Sequence, residues 1–166
     1  MIKEAFASLT IGSGACALVM AHEKASKFRH RLLGGAVRCA TEFNNLCHGS
    51  AGNMKTDSET LLQEGCNLAR GTWSKTRQIL GWTNNMVDRI FCHQVGSAHR
   101  RLLYKSLELD QGKDFSTVEY LGNTGSVSLP TTMAIGLEKS PPPPNTNIAM
   151  LGIGSGLNCL MLGVQW

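Results

Sequence analysis

From Ser58 to Leu80 the apolar residues Leu61, Leu62, Leu68, Trp73 and Ile79 recur near helical spacing, with Asp57 or Ser58 placed to cap the start and Gly81 to stop the run. A long amphipathic helix must bury its stripe against another layer, and the flanking sequence supplies short apolar runs of strand character. Leu9 to Ala21 and Leu32 to Ala40 are apolar and glycine-containing without a helical stripe, which predicts two strands that pair as neighbours. Val87 to Cys92 is a third run. It leads into His93-Gln94-Val95-Gly96 and a helical pattern over Ala98 to Leu109.

An extended stretch over Ser116 to Tyr120 stops at Gly122-Asn123-Thr124-Gly125, and a further helix is expected over Ser126 to Glu138 with Pro130 in its first turn. After the stiff connector Pro141 to Pro144, Asn147 to Ile153 and Leu157 to Trp166 read as two closing strands. Strands alternating with helices predict an α/β layer structure, in which function collects on loops at strand ends.

The chain of 166 residues reads as a single domain, and its net charge of +4 lacks the dense Lys/Arg block that tracking a nucleic-acid backbone requires. Leu9 to Ala21 behind Lys3 and Glu4, and Ile148 to Val164, approach leader and membrane-span patterns, but interrupting glycines and polar residues favour buried strands. The six cysteines, Cys16, Cys39, Cys47, Cys66, Cys92 and Cys159, form no C-x-x-C pair, which suggests reduced thiols and a cytoplasmic setting. Cys47-His48 and Cys92-His93 have no partner pair at zinc-site spacing, so no metal is expected. Trp73, Trp82 and Trp166 suit packing better than base stacking.

Three polar groups sit on glycine-flanked loops: His93 in His-Gln-Val-Gly, Asn123 in Gly-Asn-Thr-Gly-Ser-Val-Ser, and Ser155 in Gly-Ile-Gly-Ser-Gly-Leu-Asn. Singly, each is explained by a structural histidine, a turn asparagine or an ordinary glycine turn. Gly152 to Gly156 lacks the closing spacing of a dinucleotide fingerprint and the helix that would follow one.

In order and spacing, however, the three loops resemble the C-terminal half of the beta-ketoacyl-ACP synthase III family of the thiolase superfamily. His93 and Asn123 stand 30 positions apart and the chain ends 11 residues after Ser155, as in that family. Within it, Glu42 to Cys47, His93-Gln94-Val95, His99 and Gly152 to Asn158 are most similar to the head-to-head acyl-CoA condensing enzymes of long-chain olefin biosynthesis. Gly96 departs from the H-Q-A-N of the fatty-acid-initiating members, so the malonyl-ACP reaction does not follow from the motif.

The resemblance implies the C-terminal half of a thiolase-like fold, a mixed sheet with helices packed on it, with about 1–30 ending the family's N-terminal half. It implies Claisen condensation of acyl thioesters, with CoA or acyl-carrier thioesters as substrates and no cofactor. His93 and Asn123 would donate to the thioester oxygen of the second substrate, and a backbone N–H near Ser155 to the oxyanion of the acyl-enzyme. Gly96, Gly154 and Gly156 would border the substrate. Arg100, Arg101 and Lys105 would face CoA phosphates or an acidic carrier protein, although a solvated helix face accounts for them equally.

The family's nucleophile is a cysteine at a helix start. Cys16 lies in Thr10-Ile11-Gly12-Ser13-Gly14-Ala15-Cys16, which resembles a strand segment downstream of that nucleophile, and Cys47 and Cys92 lack the setting too. The expectation is a half enzyme whose cysteine belongs to an N-terminal half or a second chain, inactive alone and homo-oligomeric when complete. The alternative is a non-catalytic fragment or a domain that binds a partner or an acyl carrier.

Overall fold

The computed structural model describes residues 9–28, 30–50 and 53–166. The readings of Lys3 and Glu4, and of the beginning of the chain, lie outside the described residues.

Helix α1 (Ser58–Leu80) forms as its sequence pattern predicts. The Asp57 carboxylate accepts the Thr60 N–H at 3.2 Å and the Thr60 hydroxyl at 2.8 Å, and those bonds hold its pKa below the usual value. Gly81 ends the helix in the left-handed region at φ 67°, which glycine adopts without steric cost. The buried stripe is Gly65, Leu68, Ala69, Thr72, Trp73 and Thr76, so small residues and threonines do much of the packing. The indole N–H of Trp73 donates to Asn84 Oδ1 at 2.9 Å, and the Thr76 hydroxyl to the Met161 carbonyl at 3.2 Å.

That stripe lies on a four-stranded mixed sheet in the order β1 (Arg31–Cys39), β6 (Asn158–Gln165), β5 (Asn147–Gly154), β4 (Arg89–Cys92). β6 is antiparallel to both β1 and β5, whereas β4 runs parallel to β5. Helix α2 (Ser97–Leu107) packs beside α1, and α4 (Ser128–Lys139) packs on β4 and β5. The main core gathers Leu68, Trp73, Ile90, Leu103, Tyr104, Leu151 and Met161 between sheet and helices. A smaller cluster of Phe91, Ile148 and Val164 packs against Phe115, Met133 and Leu137.

Gly136 on α4 sets how closely that helix approaches β4. A Cβ there would lie 2.6 Å from Phe91 Cε1 and 3.0 Å from the Phe115 ring, and Phe91 is fully buried. Gly136→Ala is therefore expected to destabilise the fold by about 1–3 kcal/mol through overpacking, read as a lower urea midpoint at unchanged slope.

Several expectations need correction. Leu9 to Ala21 is no strand and does not pair with its neighbour; Ile11 makes one isolated parallel bridge to Asn123, and β1 pairs with β6 instead. A strand exists only where a second backbone takes its hydrogen bonds, and beyond Gly12 this segment meets none among the described residues. Leu18, Val19 and Met20 are accordingly exposed, at 73%, 94% and 77%. The stretch Ser116 to Tyr120 is not extended either, since Val118–Leu121 forms a short helix, α3. A hairpin of β2 (Cys47–Ser50) and β3 (Asn53–Thr56) appears where no strand was expected.

Candidate active site

β4 and β5 are parallel neighbours, so the loops that follow them leave the same end of the sheet. Cys92 pairs with Leu151 and the His93 N–H donates to the Leu151 carbonyl at 2.9 Å, which anchors His93 at the last rung. β5 continues three residues further to Gly154, roughly 10 Å of strand, and turns through Ser155, Gly156 and Leu157 into β6. Gly156 makes that turn at φ 105°, which an L side chain rarely adopts. The Ser155 carbonyl accepts the Asn158 side-chain N–H at 3.3 Å, and Asn158 Oδ1 accepts the Cys39 thiol at 3.0 Å. The Ser155 N–H has no hydrogen-bond partner among the described residues.

Asn123 follows α3, whose first amides donate to the side chain of Gln94, the residue after His93. Its backbone is clamped between the Thr10 carbonyl, which takes its N–H at 2.8 Å, and the Gly12 N–H, which its carbonyl accepts at 2.9 Å. A Cβ on Gly122 would sit 2.6 Å from the Thr10 carbonyl oxygen, so only glycine permits the close pass. The side-chain oxygen of Asn123 accepts the Gly125 N–H at 2.9 Å. With Oδ1 turned into its own loop, the Nδ2 amide is left without a partner among the described residues and is available to donate.

The His93 ring is half-buried and makes no side-chain hydrogen bond among the described residues. Burial, and then repulsion by His99, push its pKa down to about 4. Burial lowers His99 as well. At neutral pH His93 is thus an uncharged imidazole with one N–H to donate. An unfolded chain would protonate this histidine near its ordinary value of 6.5. The neutral folded form therefore contributes stability above about pH 6.5 that is lost as the pH falls toward 4. His93→Gln is expected to flatten part of the decline in urea midpoint across that window; an unchanged slope would count against a desolvated ring.

Residues 78–166 match the model of the family described as 3-oxoacyl-[acyl-carrier-protein (ACP)] synthase III C terminal. The chain belongs to this family. It is 37% identical to an acyl-CoA:acyl-CoA alkyltransferase of Shewanella oneidensis, covering 98% of this chain and 50% of that protein. It is 39% identical to the enzyme of the same name from Xanthomonas campestris, covering 99% and 48%. Among solved structures, a cysteine-to-serine variant of Xanthomonas campestris OleA with bound lauric acid and lauroyl-CoA superposes with a TM-score of 0.94, at 39% identity, over 99% of this chain and 49% of that one. The chain spans about half the length of the curated relatives it matches. Fold and family are those the three loops indicated.

Within this synthase III C-terminal fold, the residues expected to border substrate separate into groups. Arg101 is exposed on α2, whereas Arg100 donates from Nε to Asp114 Oδ2, a carboxylate with no exposed surface. The Nε of Arg100 is thus committed to Asp114, while its side chain keeps 21% of its surface exposed. Gly96 is extended, and a Cβ on it or on Gly154 would meet nothing within 4 Å, so these two glycines leave open room beside the site. Among the described residues no group of three or more His, Cys, Asp and Glu side chains could hold a metal ion, and no helix is long and apolar enough to cross a membrane.

Three residues that shape the site were missed from sequence. Gln94 and Asp114 are buried polar side chains, and Asn158 holds the glycine turn. Only the adjacency of Gln94 to His93 and of Asn158 to the Gly-x-Gly turn marked them in the sequence.

Proposed function

We infer that this chain supplies the condensation side of an acyl-thioester Claisen reaction, with the acyl-carrying cysteine held outside these 166 residues. What supports the reading is three donors without a partner among the described residues: the His93 ring and the Ser155 N–H, on loops that leave the same end of the sheet, and the Asn123 amide, which follows the short helix that Gln94 ties to the end of β4. Oxygen-centred charge is what such donors stabilise. The second thioester's carbonyl oxygen accepts from His93 and Asn123 as its α-carbon becomes an enolate, either by giving a proton to a general base outside these residues or by releasing an α-carboxylate as CO2. That carbon attacks the enzyme-bound acyl carbonyl, whose oxygen accepts from Ser155. The new C–C bond forms and the C–S bond to the enzyme cysteine breaks, returning the thiolate.

The cysteines present do not suit the covalent role. Cys92 and Cys159 are buried, with thiols pushed up to about 12 and about 11, and burial raises Cys66 within α1. Thiolate nucleophiles need the opposite shift. Cys16 and Cys39 are exposed and Cys47 opens β2, none of them at the start of a helix. Exposed Leu18, Val19, Met20, Phe28 and Val37 offer apolar surface for the part of the enzyme that holds the nucleophile. Acyl-CoA or acyl-carrier thioesters are the proposed substrates, Arg101 and Lys105 the exposed cations for their phosphates, and the cytoplasm the proposed setting; the complete enzyme is proposed to be a homo-oligomer.

Incubated alone with radiolabelled acyl-CoA, the chain is expected to carry no hydroxylamine-labile label on cysteine. Combined with a region bearing a helix-start cysteine, it should form the condensed product. Stable labelling of Cys16 would overturn the reading.

A further inference from the structure

The two enolate-side donors are thirty residues apart in sequence, and one buried side chain joins the segments that carry them. Gln94 is 2% exposed and directly follows His93. Its Nε2 donates to the Cys92 carbonyl at 2.8 Å, on the other side of His93. Its Oε1 accepts the Thr117 N–H at 3.1 Å and the Val118 N–H at 3.2 Å, the first amides of α3. The Ser116 hydroxyl lies 3.1 Å from the same oxygen and 2.8 Å from Glu119 Oε2, and its single proton serves one of them at a time. α3 runs only to Leu121, so Asn123 follows two residues later.

A four-residue helix does not hold itself together, because its first N–H groups have no intrahelical partner and so few bonds repay its nucleation. Here the Gln94 carboxamide takes those N–H groups. The hydroxyl pair of Thr117 and Thr132, 2.6 Å apart and fully enclosed, ties the same turn to α4. Beyond α3 the loop is fixed by the Thr10 and Gly12 backbones. Between them these contacts hold Asn123 at a set distance from β4, and Gln94 is the only one of them that also holds the backbone beside His93.

We propose that Gln94 is a positioning residue that sets the separation of the His93 and Asn123 donors by bridging the end of β4 to the start of α3. The proposal rests on the condensation reading for its effect on rate, but not for its effect on the loop. Two donors serving one oxygen must sit within a few tenths of an ångström of their working places, and misplacement of about 1 Å costs on the order of a hundredfold in rate.

The test compares wild type, Gln94→Met and Gln94→Glu in the assembled enzyme that contains the nucleophilic cysteine. Gln94→Met removes both polar ends at similar length. It is expected to lower the condensation rate about tenfold to a hundredfold, to leave acylation of the cysteine within about twofold by the same reasoning, and to speed amide exchange at Thr117, Val118 and on through Gly122 to Gly125. Gln94→Glu is the conservative partner and carries the test should Gln94→Met not fold. As a neutral acid it can still donate to the Cys92 carbonyl and accept from α3; ionised, it sets an oxygen against that carbonyl. Its condensation rate should be near wild type at low pH and fall as the pH rises, while the wild-type profile stays flat over the same range.

Rates within twofold of wild type at every pH, or faster exchange that stops at Leu121, would overturn the proposal. Should His93→Ala condense as fast as wild type, the condensation reading fails by itself, and the exchange at Gly122 to Gly125 still decides the role of Gln94.

Discussion

Arg100→Met is expected to destabilise the protein by about 3–5 kcal/mol at pH 8, and by less at pH 5. Asp114 has no exposed side-chain surface, and its Oδ2 accepts from Arg100 Nε with the Cys92 thiol 3.8 Å away. Among the described residues neither its Oδ1 nor the buried Tyr104 hydroxyl makes a hydrogen bond of normal geometry. Burial already raises the Asp114 pKa, opposed by Tyr104 and Arg100. Without the guanidinium the carboxylate is a buried charge with nothing to balance it, and protonation becomes its cheapest escape. Because its folded pKa then stands above the unfolded value, lowering the pH favours the folded form and the deficit shrinks. Denaturant titrations of both proteins at the two pH values measure it. A loss under about 1 kcal/mol at pH 8, or one that does not diminish at pH 5, would show that the pair is not the balance of this core.

His93→Ala and Asn123→Ala are each expected to slow condensation by about a hundredfold to a thousandfold in the assembled enzyme, or roughly 3–4 kcal/mol of barrier. Acylation of the cysteine should be little affected, since neither donor is assigned to the acyl oxygen. The double variant should fall short of the product of the two losses, because both donors serve one oxygen. The pH dependence carries a further check. With its pKa pushed down to about 4, His93 is already neutral across pH 6 to 8, so no step in the condensation rate over that range should vanish in His93→Ala. Single-turnover measurements that separate the two half-reactions decide the matter. Equal losses in both would move His93 and Asn123 to the acylation site.

Two of the three loops combine a polar side chain with glycines that backbone geometry demands, whereas Gly96 beside His93 is extended and His93 was marked by its spacing from Asn123. Gly122, with φ 67° and the Thr10 carbonyl against it, and Gly156, with φ 105°, are local requirements that stand in the sequence whatever surrounds them. The helix capped by Asp57 and stopped by Gly81 was legible for the same reason. Where pairing decides conformation, the sequence misled. Leu9 to Ala21 has the composition of a strand but finds a ladder partner only at Ile11, and Ser116 to Tyr120 looks extended yet turns into α3 because Gln94 takes its first amides.

Arg100 shows the same division. A basic residue on the helix after His93 reads as a cation for phosphate, and nothing nearby in sequence says that Asp114, fourteen residues on, takes its Nε. Composition, capping residues and glycine-marked turns act within a few positions, so the sequence by itself determined the α/β order, the long helix and the loops bearing His93, Asn123 and Ser155. The parallel register of β4 on β5, the clamp on Asn123, the Gln94 bridge and the burial that keeps His93 neutral join residues far apart along the chain. Only the tertiary structure decided these, because hydrogen bonds and desolvation depend on which backbones and side chains meet in space.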